Sequence, residues 1–361
     1  MILPTAAQVD RRLAQMLAAD SAQTGANGMA RLMLQLTRSC ELRCSYCFVA
    51  LEEAHYGREH PGIPVEGIPS GDMSIATARR AVDWLMASAR PRLGIQLFGG
   101  EPARRWDTLI GAITYAESHP GRNGRPLEVL FTTNGLGFDP ARLEALRGRV
   151  TIQLSVDGWG EANRFRRPHL LSTEEAVTRW ESVVSVLTAS GVRWFLNVTV
   201  PPAAAGELPD RYHQARERGV PAIQLNYATG VRWNETQVES YLRGLWEIFP
   251  ADDDRLYNWR NTADPAPLCG DVIADVDGTL LQVGGIFHER RFPALRAAYR
   301  HGHLDDGGEY DVRRATLGEL WRRTQAALTP DEAEVFLQGM RLGAASDIVA
   351  RVARQRFRGG R

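Results

Sequence analysis

Apolar and polar positions along this chain repeat with two periods, and the segments of each kind alternate. Leu32, Leu34 and Leu36 alternate with Met33 and Gln35, the two-residue period of a strand. Ile75, Ala78, Val82, Leu85 and Met86 fall on one face of a helix spanning Ser74 to Ala89. Short apolar runs predict further strands at Leu93–Phe98, Leu127–Thr132, Val150–Val156, Trp194–Val200 and Ala222–Tyr227. Helical patterns between them cover Trp106–Ser118, Ala141–Arg147, Thr173–Ser190 and Leu208–Arg218. A leading helix, Val9 to Ala19, and a polar linker fill residues 1–29, and the Gly- and Pro-bearing stretch 50–72 reads as loop.

Strands alternating with helices at this spacing predict right-handed βα units and a parallel sheet, open or curled into a partial barrel. Every conspicuous polar motif falls where a strand ends. In parallel α/β folds ligands bind at that carboxyl edge. The motifs are therefore expected to share one site although the first and last stand 127 positions apart.

The pattern changes near residue 235. A helix over Gln237–Phe249 is followed by Cys269-Gly270 and by apolar runs Val272–Val276 and Thr279–Val283 around Asp277-Gly278. Asp-Gly between two such runs signals a hairpin. The remainder reads as mostly helical, and its Arg-rich tail, Arg351 to Arg361, as a solvated helix end. These features divide the chain into 1–29, 30–235 and 236–361.

Composition narrows the classes. The chain has 361 residues and zero formal net charge, without the basic excess of a nucleic-acid protein. All 43 basic residues are arginine, which fits codon bias and carries no message about recognition. No secretory signal and no apolar run long enough to span a bilayer is visible. Cys40, Cys44 and Cys47 crowd one loop, and Cys269 stands alone. Such clustering points to metal and to a cytoplasmic protein, not to a disulfide framework.

Three thiolates on one tight loop can hold three irons of a cubane iron–sulfur cluster, whereas ordinary clusters take four cysteines. The fourth iron would stay open to a small molecule. On spacing alone a zinc site completed by His55 or His60 is the alternative, although paired ligand spacings are missing.

Further motifs bear on that choice. Cys40, Cys44 and Cys47 with Tyr46, then Gly99-Gly100-Glu101-Pro102, Thr133-Asn134-Gly135, and Ser155-Val156-Asp157-Gly158 with Arg167 occur in order at successive strand ends. In this the sequence resembles the radical S-adenosylmethionine (SAM) superfamily over roughly residues 30–230. The resemblance implies a partial (β/α)6 barrel and a [4Fe–4S] cluster on the three cysteines. It implies that SAM chelates the open iron. Gly99 and Gly100 would let backbone approach its methionine moiety, and Glu101 would bind the ammonium group or position the turn. Ser155 and Arg167 would hold the carboxylate, and Tyr46 would lie against the adenine. Asn134 and Asp157 would orient the ribose or serve as Asx-type turn residues.

The implied chemistry is reductive cleavage of SAM to a 5′-deoxyadenosyl radical that takes hydrogen from a substrate carbon. An external one-electron reductant of flavodoxin or ferredoxin type would feed the cluster. The C-terminal region resembles a SPASM domain, through Cys269-Gly270, the Asp277-Gly278 hairpin, Gly302-His303-Leu304 and Leu320-Trp321. The cysteines for auxiliary clusters are missing, so a smaller, SPASM-like α+β domain without such a cluster is expected. Cys269 is then either a packed thiol or a hydrogen-atom donor to a substrate radical. His169 is read as a surface residue, and His288, His301 and His303 show no metal spacing.

The favoured substrate is a ribosomally made peptide, epimerised or cross-linked. A small natural product, such as an amino acid or aminoglycoside, is the rival substrate. A non-catalytic metal-binding protein is the rival class. Neither nucleic acid nor membrane is an expected partner.

Overall fold

The computed structural model describes residues 3–18, 29–49, 68–160, 165–168, 172–252, 255–257, 268, 271–307 and 316–358. Its frame is a nine-stranded sheet. We label the strands β1 (Met29–Gln35), β3 (Arg92–Phe98), β4 (Leu127–Thr133), β5 (Thr151–Ser155), β7 (Arg193–Val200), β8 (Ile223–Tyr227), β9 (Val272–Ala274), β10 (Thr279–Gln282) and β11 (Arg300–His303). A separate short ladder joins β2 (Leu42–Cys44) to β6 (Arg166–Pro168). The order across the large sheet is β11-β10-β9-β1-β3-β4-β5-β7-β8.

From β1 to β8 neighbouring strands are parallel. Helices Ile75–Met86, Trp106–Ser118, Pro140–Leu146, Thr173–Ser190 and Leu208–Glu217 lie in the crossovers, as expected from the periodicity. Local chemistry starts them where it should. Ser74 caps the first by accepting the Thr77 N–H, and Ser172 with Glu175 closes a capping box on the fourth. β8 and β1 do not pair among the described residues, so this six-stranded parallel part stays open, as a partial barrel does.

Alternation along the strands splits the sheet into two faces. One face buries Leu32, Leu34, Leu97, Phe131, Ile152, Leu154, Leu196 and Val198. The other carries Gln96, Thr132, Gln153, Ser155, Asn197, Gln224 and Asn226, all half-buried. Polar groups on that face bond to one another. Gln96 donates to Thr132 at 3.0 Å, Thr132 to Gln153 at 2.9 Å, and Gln153 to Gln224 at 3.4 Å.

The expected hairpin turns at Asp277-Gly278, with Gly278 at φ 94. It does not stand apart. β9 pairs in parallel with β1, so the sheet runs unbroken across the change of pattern near residue 235. Three of the described strands escape the sequence reading. β11 extends the hairpin to three strands, inside a segment that read as mostly helical, and the β2–β6 ladder is too short for periodicity to show. A helix over Pro330–Phe357 closes the chain and packs on the first helix, Ala6–Ala18, where Arg12 meets Asp347 at 2.5 Å.

Candidate functional site

The chain leaves β1 through Leu36, Thr37 and Arg38 into the cysteine loop. Leu36 N–H bonds to the Phe98 carbonyl at 2.8 Å, so the loop starts in register with the end of β3. There Gly100 N–H donates to the Thr37 carbonyl and Glu101 N–H to the Ser39 carbonyl, both at 2.8 Å. A Cβ on Gly99 would lie 2.7 Å from the Thr37 carbonyl oxygen, and Gly99 has φ 153. A Cβ on Gly100 would collide with the Ser39 carbonyl. Both glycines are thus required by a close approach of two backbones. The approach is to the root of the cysteine loop, a reason for glycine that motif reading did not supply.

Glu101 is buried and, among the described residues, has no basic partner. Its carboxylate accepts the Ala103 N–H at 2.9 Å, the Thr133 hydroxyl at 2.8 Å and the Asn134 N–H at 2.6 Å. It ties the turn after β3 to the turn after β4. Burial, with Glu41 nearby, pushes its pKa up to about 8.

Asn134 reaches toward the cysteines. Its Nδ2 lies 3.2 Å from Glu41 and 3.8 Å from Cys40 Sγ, while its Oδ1 accepts the Leu136 N–H at 2.9 Å. Asn134 therefore joins an Asx-type turn to a contact with the cysteine loop. Asp157 is fully buried and bonded on several sides. It accepts from the Tyr46 hydroxyl and, at 2.9 Å, from the Thr199 N–H, while Arg211 bonds its carbonyl at 2.7 Å. Tyr46 and Asp157 thus lock the cysteine loop to the ends of β5 and β7. Ser155 ends β5, half-buried on the polar face.

The β2–β6 ladder brings in the last motif. Leu42 pairs with Pro168, Arg43 with Arg167 and Cys44 with Arg166, and Ser45 N–H bonds the Phe165 carbonyl at 3.0 Å. Arg167 is thereby fixed in backbone opposite Arg43, next to Cys44, although 127 positions from the first cysteine. Its side chain lies outside the described atoms, as do Cys269, His55, His60 and His169.

Cys40 is buried, and Cys44 and Cys47 are half-buried, none of them in a disulfide. Cys40 Sγ accepts the Leu42 N–H at 3.3 Å. Burial and the negative charges of Glu101, Cys44 and Glu41 push its thiol pKa well up. A thiol so placed ionises when a metal binds it. Among the described residues no three His, Cys, Asp or Glu side chains converge on a single metal ion. A cubane asks something else of its ligands, one thiolate for each of several irons, with N–H donors aimed at sulfur. Three cysteines outside any disulfide and the donors on Cys40 fit that group.

Residues that motif reading passed over complete the surroundings. Arg38 is buried and bound to Asp275 and Glu289, and Arg290 and Arg291 reach the loop from the C-terminal region. Only the charge of Arg38 between a strand and a cysteine motif could have hinted at this. His288 is buried among Phe48, Phe292 and Phe336, and His303 accepts the Asp305 N–H at a turn.

Residues 34–201 match the radical SAM superfamily. This stretch is a radical SAM domain. A domain of this superfamily works with a [4Fe–4S] cluster and SAM. The chain is 27% identical over 203 residues to a PqqA peptide cyclase of Methylocella silvestris, covering 56% of this chain and 45% of that protein. It spans about half the length of the curated relatives it matches. In fold it is similar to anSMEcpe with bound AdoMet, with TM-score 0.66 and 15% identity over 91% of this chain and 95% of that one. A structure of anSMEcpe with bound AdoMet and the Cp18Cys peptide gives TM-score 0.61 at 15% identity, over 83% and 82%. The likeness in fold therefore extends beyond the radical SAM domain into the C-terminal region. No helix among the described residues is long and apolar enough to cross a membrane.

Proposed function

We propose that the chain is a radical SAM enzyme that modifies a peptide at an unactivated carbon, by epimerisation or cross-linking. The observation that carries this reading is the convergence of four motif-bearing turns on one sheet edge, each hydrogen-bonded to the cysteine loop or to its neighbour. In it Cys40, Cys44 and Cys47 hold the cluster. When bound and reduced, the cluster and SAM supply a 5′-deoxyadenosyl radical.

The protein's part is placement. Ser155 and Arg167 bind the SAM carboxylate, arginine through its two-pronged guanidinium. The Tyr46 ring borders the adenine while its hydroxyl holds Asp157. Gly99 to Glu101 set the backbone beside the methionine moiety. Asn134 and Asp157 keep their turns in place around the ribose. The open polar face offers Gln153, Asn197, Gln224 and Asn226, whose amides match the donors and acceptors of a peptide backbone. That match, together with the names of the relatives, favours a peptide over a small natural product. Electrons come from an external one-electron carrier of flavodoxin or ferredoxin type, and the setting is cytoplasmic. Residues 236–361 act as a SPASM-like domain without an auxiliary cluster. Cys269, either a packed thiol or a hydrogen-atom donor, is the one thiol outside the cluster loop.

The test is anaerobic reconstitution followed by reaction with SAM and a chemical reductant. Release of 5′-deoxyadenosine is expected, with about four irons per chain. The Cys40→Ala, Cys44→Ala, Cys47→Ala triple variant is expected to lose all iron–sulfur absorption and all release. Undiminished release from the triple variant, or no cluster in the wild type, sinks the reading.

A further inference from the structure

The cysteine loop is gripped from a second side, by a segment that none of the motifs includes. Residues 288–292 follow the short helix Gly284–Phe287. The Arg290 guanidinium donates to the Cys47 carbonyl at 3.0 Å, and its N–H to the Phe48 carbonyl at 3.4 Å. Arg291 donates to the Ser45 carbonyl at 3.2 Å. Phe287 stacks on Phe48 with ring centroids 4.5 Å apart. Two carbonyls of the loop, one belonging to its third cysteine, are thus held by guanidinium groups from the C-terminal region.

The mount of this segment is a buried ion-pair network. Glu289 is fully buried next to Arg290 and bonds Arg38, two residues before Cys40. Arg38 also meets Asp275 at 2.8 Å. Arg296 closes the ring, 2.7 Å from Asp275 and 3.2 Å from Glu289. Two arginines and two carboxylates make this network electrically neutral. It fixes position without adding net charge beside the loop. Arg290 and Arg291 differ, because their guanidinium groups point at the loop itself. Burial and Arg290 pull the Arg291 pKa down while Cys47 pulls it up, so the three groups share one local field.

We propose that Arg290 and Arg291 are positioning residues for the iron–sulfur cluster, holding the Ser45–Cys47 backbone and favouring the reduced cluster by placing positive charge beside Cys47. The inference rests on the reading of Cys40, Cys44 and Cys47 as cluster ligands. Reduction adds one electron and makes the cluster more negative, with no bond made and no proton moved. The electron comes from the external carrier. A fixed cation beside a ligand lowers the energy of that added charge and so raises the potential. In a chain whose C-terminal region lacks the cysteines for another cluster, the region would act on the chemistry through these two charges.

The test is the midpoint potential of the cluster, followed by electron paramagnetic resonance without SAM or substrate. Wild type, Arg290→Gln, Arg291→Gln and Arg290→Lys are compared at equal iron content. Each Gln variant is expected to disfavour reduction about tenfold, a fall of about 59 mV for one electron. Arg290→Lys keeps the charge and is expected to stay near the wild type. A wild-type potential in every Gln variant that loads the cluster overturns the proposal. Loss of loading in both Gln variants, with rescue by Arg290→Lys and Arg291→Lys, supports it, and loss without rescue overturns it. A wild type that takes up no cluster overturns the cluster reading itself, and this inference with it.

Discussion

Two buried ionisable groups flank the cysteine loop, and they are satisfied by opposite means. Glu101, on the barrel side, sits among neutral donors: two backbone N–H groups and the Thr133 hydroxyl. Arg38, on the C-terminal side, sits between two carboxylates that Arg296 also binds. The barrel side therefore joins turns through dipoles, whose strength depends on orientation at short range. The C-terminal side joins distant segments through full charges, which cost much to bury and more to leave unpaired. Arg38 keeps its charge, its pKa raised by Asp275 and Glu289 against the cost of burial. Glu101 has no countercharge among the described residues and binds its proton unusually tightly.

The largest effect should come from breaking the charged side. Arg38→Met leaves Asp275 and Glu289 buried with Arg296 alone. The expected cost is about 3–5 kcal/mol, measured by urea unfolding of the cluster-free protein. A loss below about 1 kcal/mol, the range of an exposed pair, would show that the network is not a fixed mount.

On the barrel side, Arg167→Ala removes a proposed SAM partner and no cluster ligand. Iron content should hold while SAM affinity drops about ten- to a hundredfold, the value of roughly 1.5–3 kcal/mol for one charged hydrogen-bonding partner. Unchanged affinity in an equilibrium titration would move Arg167 out of the SAM site.

Glu101→Gln probes the dipolar side directly. The amide keeps one acceptor but sets an N–H₂ against one of its three donors, at a cost of about 1–3 kcal/mol. It should also change the response to pH. With its pKa raised to about 8, native Glu101 holds a proton that the unfolded chain releases near pH 4.5. The native state then binds more protons than the unfolded state, so this contribution to stability is full below pH 4.5 and lost as pH rises toward 8. Unfolding of the cluster-free wild type across that window should show the decline, and Glu101→Gln should lack this part of it. Equal slopes in the two proteins would mean that the donors keep Glu101 ionised.

The smallest effect is expected at Arg80→Ala. Arg80 pairs with Asp305 and so also links the barrel to the C-terminal region, but both side chains are about half exposed. A change of about 0.2–1 kcal/mol in the same urea experiment is expected. A loss as large as that of Arg38→Met would erase the distinction between buried and surface links.

Sequence alone determined the parallel frame, because it rests on local signals. The two-residue and helical periods, the Ser74 and Ser172 caps and the Asp277-Gly278 turn each act within a few residues. It also brought the cysteines, the Gly99–Glu101 turn, Asn134 and Asp157 to one edge, since parallel βα units place every strand's end on the same side, whereas Arg167 reaches the cysteine loop through the antiparallel β2–β6 ladder. Tertiary structure alone decided what those residues touch. Gly99 and Gly100 are glycines because the root of the cysteine loop passes against them, and Tyr46 meets Asp157 across 111 positions. The pairing of β9 with β1, and the ring of Arg38, Asp275, Glu289 and Arg296, join segments more than 230 positions apart. No period or spacing records such a meeting. Charge pairing at that distance is set by which backbones the continuous sheet brings within a few ångströms, and that is a property of the packed chain.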